Sequence, residues 1–407
     1  MTRARPLLYA AVLVLLLAGI VAWLLLPRPV TPPRGLRLLP LHYRDLPGWE
    51  QSDPRAALAA LRRSCRVLAQ KPASAPMSGA GYAGTVAPWL SACASLPQTR
   101  QSPQQARLWF ERHFLPAEIA AAGHHRGLLT GYYEPEIAGR RRPDGSFKIP
   151  VYGRPSDLVS VNLGRFRPRW RGRYLFGRLE GEELVPYPSR AAIARKGLAG
   201  APVLLWTDDP VALFFLQVQG SGRVRFGPGS VFRLDYAGQN GRPYTAIGRI
   251  LVHMGALSSA ELSLQGIRTW LLGHPQLAPE IMERDASYVF FRLAPLSHAK
   301  LGPVGTEGVP LTAGASLAVD PHFHALGIPF YIVAPPPRRG GAPLHQLMIA
   351  QDTGGAIKGP LRGDVFWGHG ASAEQLAGAM KERGRFFVLL PPSLWRQLAQ
   401  RRAGVGG

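Results

Sequence analysis

Two aspartates twelve residues apart, Asp352 and Asp364, bracket the stretch QDTGGAIKGPLRGDVFWG at residues 351–368. Between them lie a Gly-Gly pair, the lone cation Lys358 and a Gly359-Pro360 turn. Glycines at 354, 355, 359 and 363 open backbone conformations closed to other residues, so this loop can hold a carboxyl group in an unusual position. The flanking residues alternate apolar and polar as strands do. An aspartate at the end of a buried strand, presented by a Gly-rich loop, is a candidate general acid or base. The plainer alternative is a tight turn whose aspartates cap backbone amides.

Other groups with chemical potential are scattered more thinly. Glu134 and Glu136 in YYEPE form a second carboxylate pair, read as solvated acids at a strand end. His322 and His324 follow Asp320 and would share one side of a strand, but no third ligand has suitable spacing, so no metal is expected. Nothing calls for a cofactor. His369 beside the Gly-rich loop reads as a surface or groove residue.

The chain that must position these groups has 407 residues, enough for two domains and sizeable cores. Its 46% hydrophobic and 18% charged content is that of a globular protein. The 48 Lys and Arg against 25 Asp and Glu give a net charge of +23, a field that favours an acidic partner: nucleic acid, anionic lipid or an acidic wall polymer. Residues 7–26 form an uncharged run preceded by Arg3 and Arg5, long enough to span a bilayer. The positive-inside rule leaves the N-terminus in the cytoplasm and exports the remainder, which argues against nucleic acid as partner. A cleaved signal peptide is the alternative; the poor cleavage site at Ile20-Val21-Ala22 favours an uncleaved anchor. Cys65 and Cys93, the only cysteines, either pair or stay buried as thiols.

Along the chain the expected organisation is a transmembrane anchor or signal segment at 1–26, a Pro/Arg-rich stalk at 27–50, a helical part at 51–127, an inserted β domain at 128–243, helices and a β-barrel at 244–395, and a tail at 396–407. Asp53-Pro54 opens a helix whose Ala57, Leu58, Leu61, Cys65 and Leu68 share a face. Ser102 and Gln105 form a capping box for the next helix. From Leu128 onward short strand-like runs follow, including FFLQVQGSGRVRF, with one helix between Ser189 and Gly197. Helices are expected over 244–254 and from the Ser258–Glu261 capping box to Gly273. The runs SYVFFRL, SLAVD, PFYIVA, HQLMIAQD, DVFWG and FFVLL then give six strands with few intervening helices, which points to a compact barrel.

Taken in order, TGYYEPEIAGR, FFLQVQGSGRV, LDYAGQNGRPYTAIGR, SYVFFR, SLAVD, AQDTGGAIKG and GDVFWG resemble the membrane-bound lytic murein transglycosylase A family over roughly residues 128–390. The C-terminal part also resembles the three-aspartate domain of wall-remodelling proteins, with Asp320, Asp352 and Asp364 as the three acids. The resemblance implies a mainly β fold with helices (α+β): a six-stranded double-psi β-barrel, a second small β domain inserted into it, and a glycan groove between them. It implies Asp364 as the catalytic acid, with Asp352 and Asp320 supporting it and Lys358 nearby. Gln217, Gln219, Ser221, Tyr132 and Tyr133 would form the other wall, with only one of the two adjacent tyrosines facing the groove. The implied activity is a peptidoglycan lyase that joins C6–OH of the muramic acid to its own C1; a hydrolytic muramidase and a non-catalytic wall-binding module are the alternatives. The implied setting is the periplasm of a Gram-negative envelope, with a monomer and peptidoglycan glycan strands as partner; the uncleaved segment at residues 7–26, read from the chain itself, would hold it at the inner membrane. Two departures stand out: residues 361–363 read LRG where the family has a His-Phe-Asp-like approach, and no lipid-accepting cysteine follows the apolar segment.

Overall fold

The computed structural model describes residues 35–403, apart from 168–169, 171–172, 260, 297 and 339. The predicted anchor at 7–26 lies outside the described residues, and among those described no helix is long and apolar enough to cross a membrane.

Three helices form a cap. Ala57, Leu58, Leu61, Cys65 and Leu68 recur at helical spacing and are all buried on one face of Arg55–Leu68. Cys65 is disulfide-bonded to Cys93 in the helix Ala87–Ala94, closing a separation of 28 residues. The helix Pro103–His113 starts at the predicted capping box, with Gln105 N donating to Ser102 Oγ at 3.2 Å and Ser102 N to Gln105 Oε1 at 2.8 Å.

The main sheet contains β1 (Leu36–Pro40), β2 (Leu115–Ala121) and β3 (Gly127–Glu134) from the first part of the chain. The insert supplies β4 (Glu136–Ala138), β5 (Ile149–Tyr152), β6 (Val159–Asn162), β7 (Tyr174–Glu180), β8 (Glu183–Pro186), β9 (Val203–Thr207), β10 (Gly222–Gly227), β11 (Ser230–Gln239) and β12 (Val289–Pro295). The main sheet resumes with β13 (Ser316–Val319), β14 (Pro329–Ala334), β15 (Leu344–Asp352), β16 (Arg362–His369) and β17 (Lys381–Leu390). Its order is β1-β2-β17-β14-β15-β13-β16-β3, and an added β17–β3 pairing closes six of these strands into a ring. Leu317, Phe330, Ile332, Met348, Val365, Phe386 and Val388 are buried in its core, and the helix Arg55–Leu68 packs on β15. The fold is thus mixed α+β and mostly sheet.

The ring differs from the expected one in a strand. The SYVFFRL run, β12, pairs with β11 in the insert's four-stranded sheet β12-β11-β10-β4. Its place in the ring is taken by β3, which lies parallel to β16 and antiparallel to β17. Strand length and apolar pattern are alike in both segments, and only long-range pairing separates them. A second expectation is overturned at FFLQVQ: Pro210–Gln219 is a helix. Asp209 Oδ1 accepts from Ala212 N at 2.8 Å, Pro210 opens the first turn, and Gly220 closes the helix with φ 84°. An unbroken apolar run cannot distinguish a buried strand from a buried helix; the Asp-Pro start and Gly stop do. The Ser258–Glu261 box forms, with Ser258 N donating to Glu261 Oε2 at 2.9 Å, but it closes a turn. The helix itself is Leu264–Gly273, capped by Ser263.

Candidate active site

Asp364 lies on β16 between two ring strands, opposite Ala318 of β13 on one side and Thr130 of β3 on the other. Thr130 Oγ1 donates to Asp364 Oδ1 at 2.5 Å, and Arg362 Nη2 donates to Thr130 Oγ1 at 2.8 Å. Burial pushes the Asp364 carboxyl up to about 6; the Thr130 hydrogen bond and the nearby Arg362 oppose the rise, and the Asp352 charge adds to it. At neutral pH and just below, such a group exchanges a proton readily in both directions. Phe366 stands two residues on, on the same face, and is buried; Val365 and Trp367 point the other way, into the ring core and toward Tyr133. Phe366 is therefore the apolar neighbour that matters.

Asp352, at the end of β15, is held by three donors. Thr306 N and Thr306 Oγ1 each donate to Oδ1 at 2.9 Å, and Tyr132 OH donates to Oδ2 at 2.9 Å. Burial still leaves its carboxyl raised above the ordinary range despite these bonds. Tyr132 lies on β3 two residues after Thr130, so strand alternation puts both on the face that meets Asp364 and Asp352. Tyr133 faces oppositely and packs with Ala373, Ala377 and Trp367. One tyrosine of the pair reaches the aspartates, as alternation demands.

Asp320 serves the loop. Its Oδ2 accepts from Gly359 N at 2.7 Å, while its Oδ1 accepts from His322 N at 3.1 Å and pairs with His322 Nδ1 at 2.8 Å. Burial alone would raise this carboxyl, but the bonds from Gly359 and His322 outweigh it and the net shift is downward. Gly359 has φ 103°, a conformation that a side chain would strain; the glycines at 354, 355 and 363 do not adopt it. His324 completes the anchor. Because a carbonyl can only accept, the ring donates from Nε2 to Pro360 O at 2.8 Å, and Nδ1 accepts from Tyr82 OH at 2.8 Å. Burial drives its pKa down to about 4, so the ring is neutral. His322 and His324 sit in a turn after β13 and serve different partners. No group of three or more His, Cys, Asp or Glu among the described residues could hold a metal ion.

The remaining residues divide. Gln219 Oε1 accepts from Tyr133 N at 3.1 Å, tying the insert helix Pro210–Gln219 to β3. Gln217 is buried inside that helix and accepts from Arg190 Nη1, so it is not brought to the aspartates. Ser221 is half-buried at the entry to β10. Lys358 is exposed and lines a depression with Leu128 and Arg383, away from direct contact with either carboxyl. His369 is exposed at the end of β16. Glu134 corrects the reading of solvated strand-end acids. It is fully buried, with Arg223 Nε donating to Oε2 at 2.8 Å and Arg233 Nε to Oε1 at 2.7 Å. Those arginines lie on β10 and β11 and also donate to Ala299 O and Leu301 O, so the trio joins the insert sheet to the ring. Glu136 does pair at the surface, with Arg225.

Thr130, Thr306 and Arg362 were not singled out from the sequence. Only Thr130 carried a signal, through its place two residues before Tyr132 on one strand face.

Comparison with known proteins gives a consistent answer. A model described as the MltA specific insert domain matches residues 128–292, and a 3D domain model matches 315–390, which contains all three aspartates. A membrane-bound lytic murein transglycosylase structure from Agrobacterium tumefaciens is 35% identical, covers 89% of this chain and 99% of its own, and superposes with a TM-score of 0.78. The chain belongs to the membrane-bound lytic murein transglycosylase A family. MltA from Neisseria gonorrhoeae, in its monoclinic form, is 34% identical with a TM-score of 0.72, covering 89% of this chain and 97% of that one. Membrane-bound lytic murein transglycosylase A of Escherichia coli K12 is 34% identical over 267 residues. That alignment covers 64% of this chain and 65% of the relative, a little under two thirds of its length.

Proposed function

We propose that this protein is a peptidoglycan lytic transglycosylase of the cell envelope, and that Asp364 is its single acid–base group. The protonated Asp364 carboxyl gives its proton to the glycosidic oxygen between MurNAc and GlcNAc as the C1–O bond breaks. The resulting carboxylate then takes the proton of the muramic acid C6 hydroxyl while O6 bonds to C1. The proton inventory closes without water, and the product carries a 1,6-anhydro end. The ring of six strands is read as a double-psi β-barrel, with the glycan passing between ring and insert.

One observation carries this reading. Asp364 sits between its protonated and charged states at about pH 6, while the neighbouring Asp352 is occupied by three donors from Thr306 and Tyr132. A hydrolase needs a second free carboxylate to activate water or attack the sugar. An intramolecular transfer needs only one group that gives and retrieves a proton. Family membership supports the substrate, since the relatives are named murein transglycosylases. Mass spectrometry of digested murein tests it: anhydro-ended products are expected, and reducing ends without them would favour a muramidase.

A further inference from the structure

We propose that the basic surface beside Asp364 is a subsite for the carboxylates of the peptide stem carried by the glycan strand. The inference rests on the peptidoglycan reading above and adds what part of the substrate is recognised.

The pairing registers carry it. On β3, Leu128 is opposite Arg362 of β16 and Arg383 of β17, and Thr130 is opposite Asp364 and Lys381. Directly paired residues project from the same face, so Asp364, Lys381 and Arg383 share one surface. This face is closed at the Tyr132–Phe366 end, where Phe366 is buried, and opens toward Leu128, which is 37% exposed. Two residues of strand separate Thr130 from Leu128, about 7 Å at ~3.3 Å per residue. Beyond Leu128 lies a depression of about 380 Å³ lined by Arg126, Lys358 and Arg383, among others.

Arg126, Lys358, Lys381 and Arg383 are all exposed, and none makes a salt bridge or a side-chain hydrogen bond among the described residues. Nearby acids are already used or face away. Glu118 is engaged by Arg385 at 2.8 Å and His125 at 3.4 Å, and Asp320 by Gly359 and His322. Glu382 is opposite Leu129, on the other face. Three uncompensated cations lining one depression, with Lys381 across Thr130 from Asp364 on the same strand face, form an anion site beside that carboxyl. The sugar rings of a glycan strand are neutral. Its carboxylates lie on the peptide joined to the lactyl group of the same muramic acid whose bond is cut, so a strand engaged at Asp364 brings them to this surface.

The test compares soluble glycan strands bearing peptide stems with the same strands stripped by an amidase and then methyl-amidated at the lactyl carboxyls that stripping exposes, so that the stripped strands carry no carboxylate. Binding to Asp364→Asn is measured by calorimetry, and cleavage by the parent enzyme is followed in parallel. Stem-bearing strands are expected to bind at least about 5-fold tighter at low salt, an advantage that shrinks as salt screens the charges. Introducing Lys358→Ala or Arg383→Ala should lower the stem-to-stripped ratio about 2- to 5-fold each, with folding checked by thermal unfolding. A ratio near 1, or a ratio that neither substitution nor salt moves, overturns the subsite. Cleavage by the parent without a stem preference would discard the subsite and keep the lyase reading. Stem-selective binding without anhydro products would do the reverse.

Discussion

Replacing Thr130 with valine removes one hydroxyl and preserves the shape of the side chain, which isolates the bond Thr130 donates to Asp364 at 2.5 Å. That bond stabilises the charged carboxylate and so lowers the Asp364 pKa, against the rise caused by burial. A hydrogen bond to a charged group contributes about 1.5–3 kcal/mol, and one pKa unit corresponds to about 1.4 kcal/mol. Thr130→Val should therefore raise the Asp364 pKa by about 1–2 units, from about 6 to about 7–8. In the proposed mechanism the acid form protonates the leaving oxygen, so the limb on which activity falls with rising pH should move upward by that amount. Arg362 keeps its bonds to Gly363 O and Leu128 O when the hydroxyl is gone, so its charge stays near. The assay is the rate of anhydro-product formation from murein between pH 4 and 9, fitted as kcat/KM against pH. An unshifted limb in an active variant would refute the assignment of Asp364 as the titrating acid, and a downward shift would show that the hydroxyl does not act as its donor.

Asp352→Asn removes a like charge that raises the Asp364 pKa, so the same limb should move to lower pH; an upward move would mean the two carboxyls do not interact as described. Glu134→Gln leaves Arg223 and Arg233 without their buried counter-charge, and unfolding free energy should fall by about 3–5 kcal/mol, a loss under about 1 kcal/mol in denaturant titration arguing against the clasp. His324, held neutral with a pKa near 4 against an ordinary 6.5, binds a proton more readily in the unfolded chain. Its contribution is complete above about pH 6.5 and lost as pH falls toward 4, up to about 3 kcal/mol, so His324→Gln should flatten thermal stability over that window.

What could be seen in the sequence were features encoded over a few residues. The Ser102 capping box, the buried face of Arg55–Leu68 and the Gly-rich loop between Asp352 and Asp364 depend on local spacing. Alternation on β3 separated Tyr132 from Tyr133 for the same reason. The rest depends on long-range pairing. Glu134 meets Arg223 and Arg233 across 89 and 99 residues, and Thr306 reaches Asp352 across 46. No periodicity predicts that a strand-end glutamate will be buried by two arginines from another sheet. The ring strand β3 was assigned to the insert because its neighbours in sequence are insert strands, whereas its partners β16 and β17 come more than 200 residues later. The three aspartates illustrate the division best. Their types and spacing were visible, but their separate duties follow from partners: Gly359 and His322 for Asp320, Thr306 and Tyr132 for Asp352, Thr130 for Asp364.

The most direct test of a single acid–base carboxyl is product analysis of purified murein after digestion by the parent protein beside Asp364→Asn. The account predicts 1,6-anhydromuramic acid ends from the parent and a loss of turnover of at least about 100-fold in the variant, the low end of what a positioned acid–base group contributes. Anhydro products formed by Asp364→Asn at close to the parental rate would contradict it.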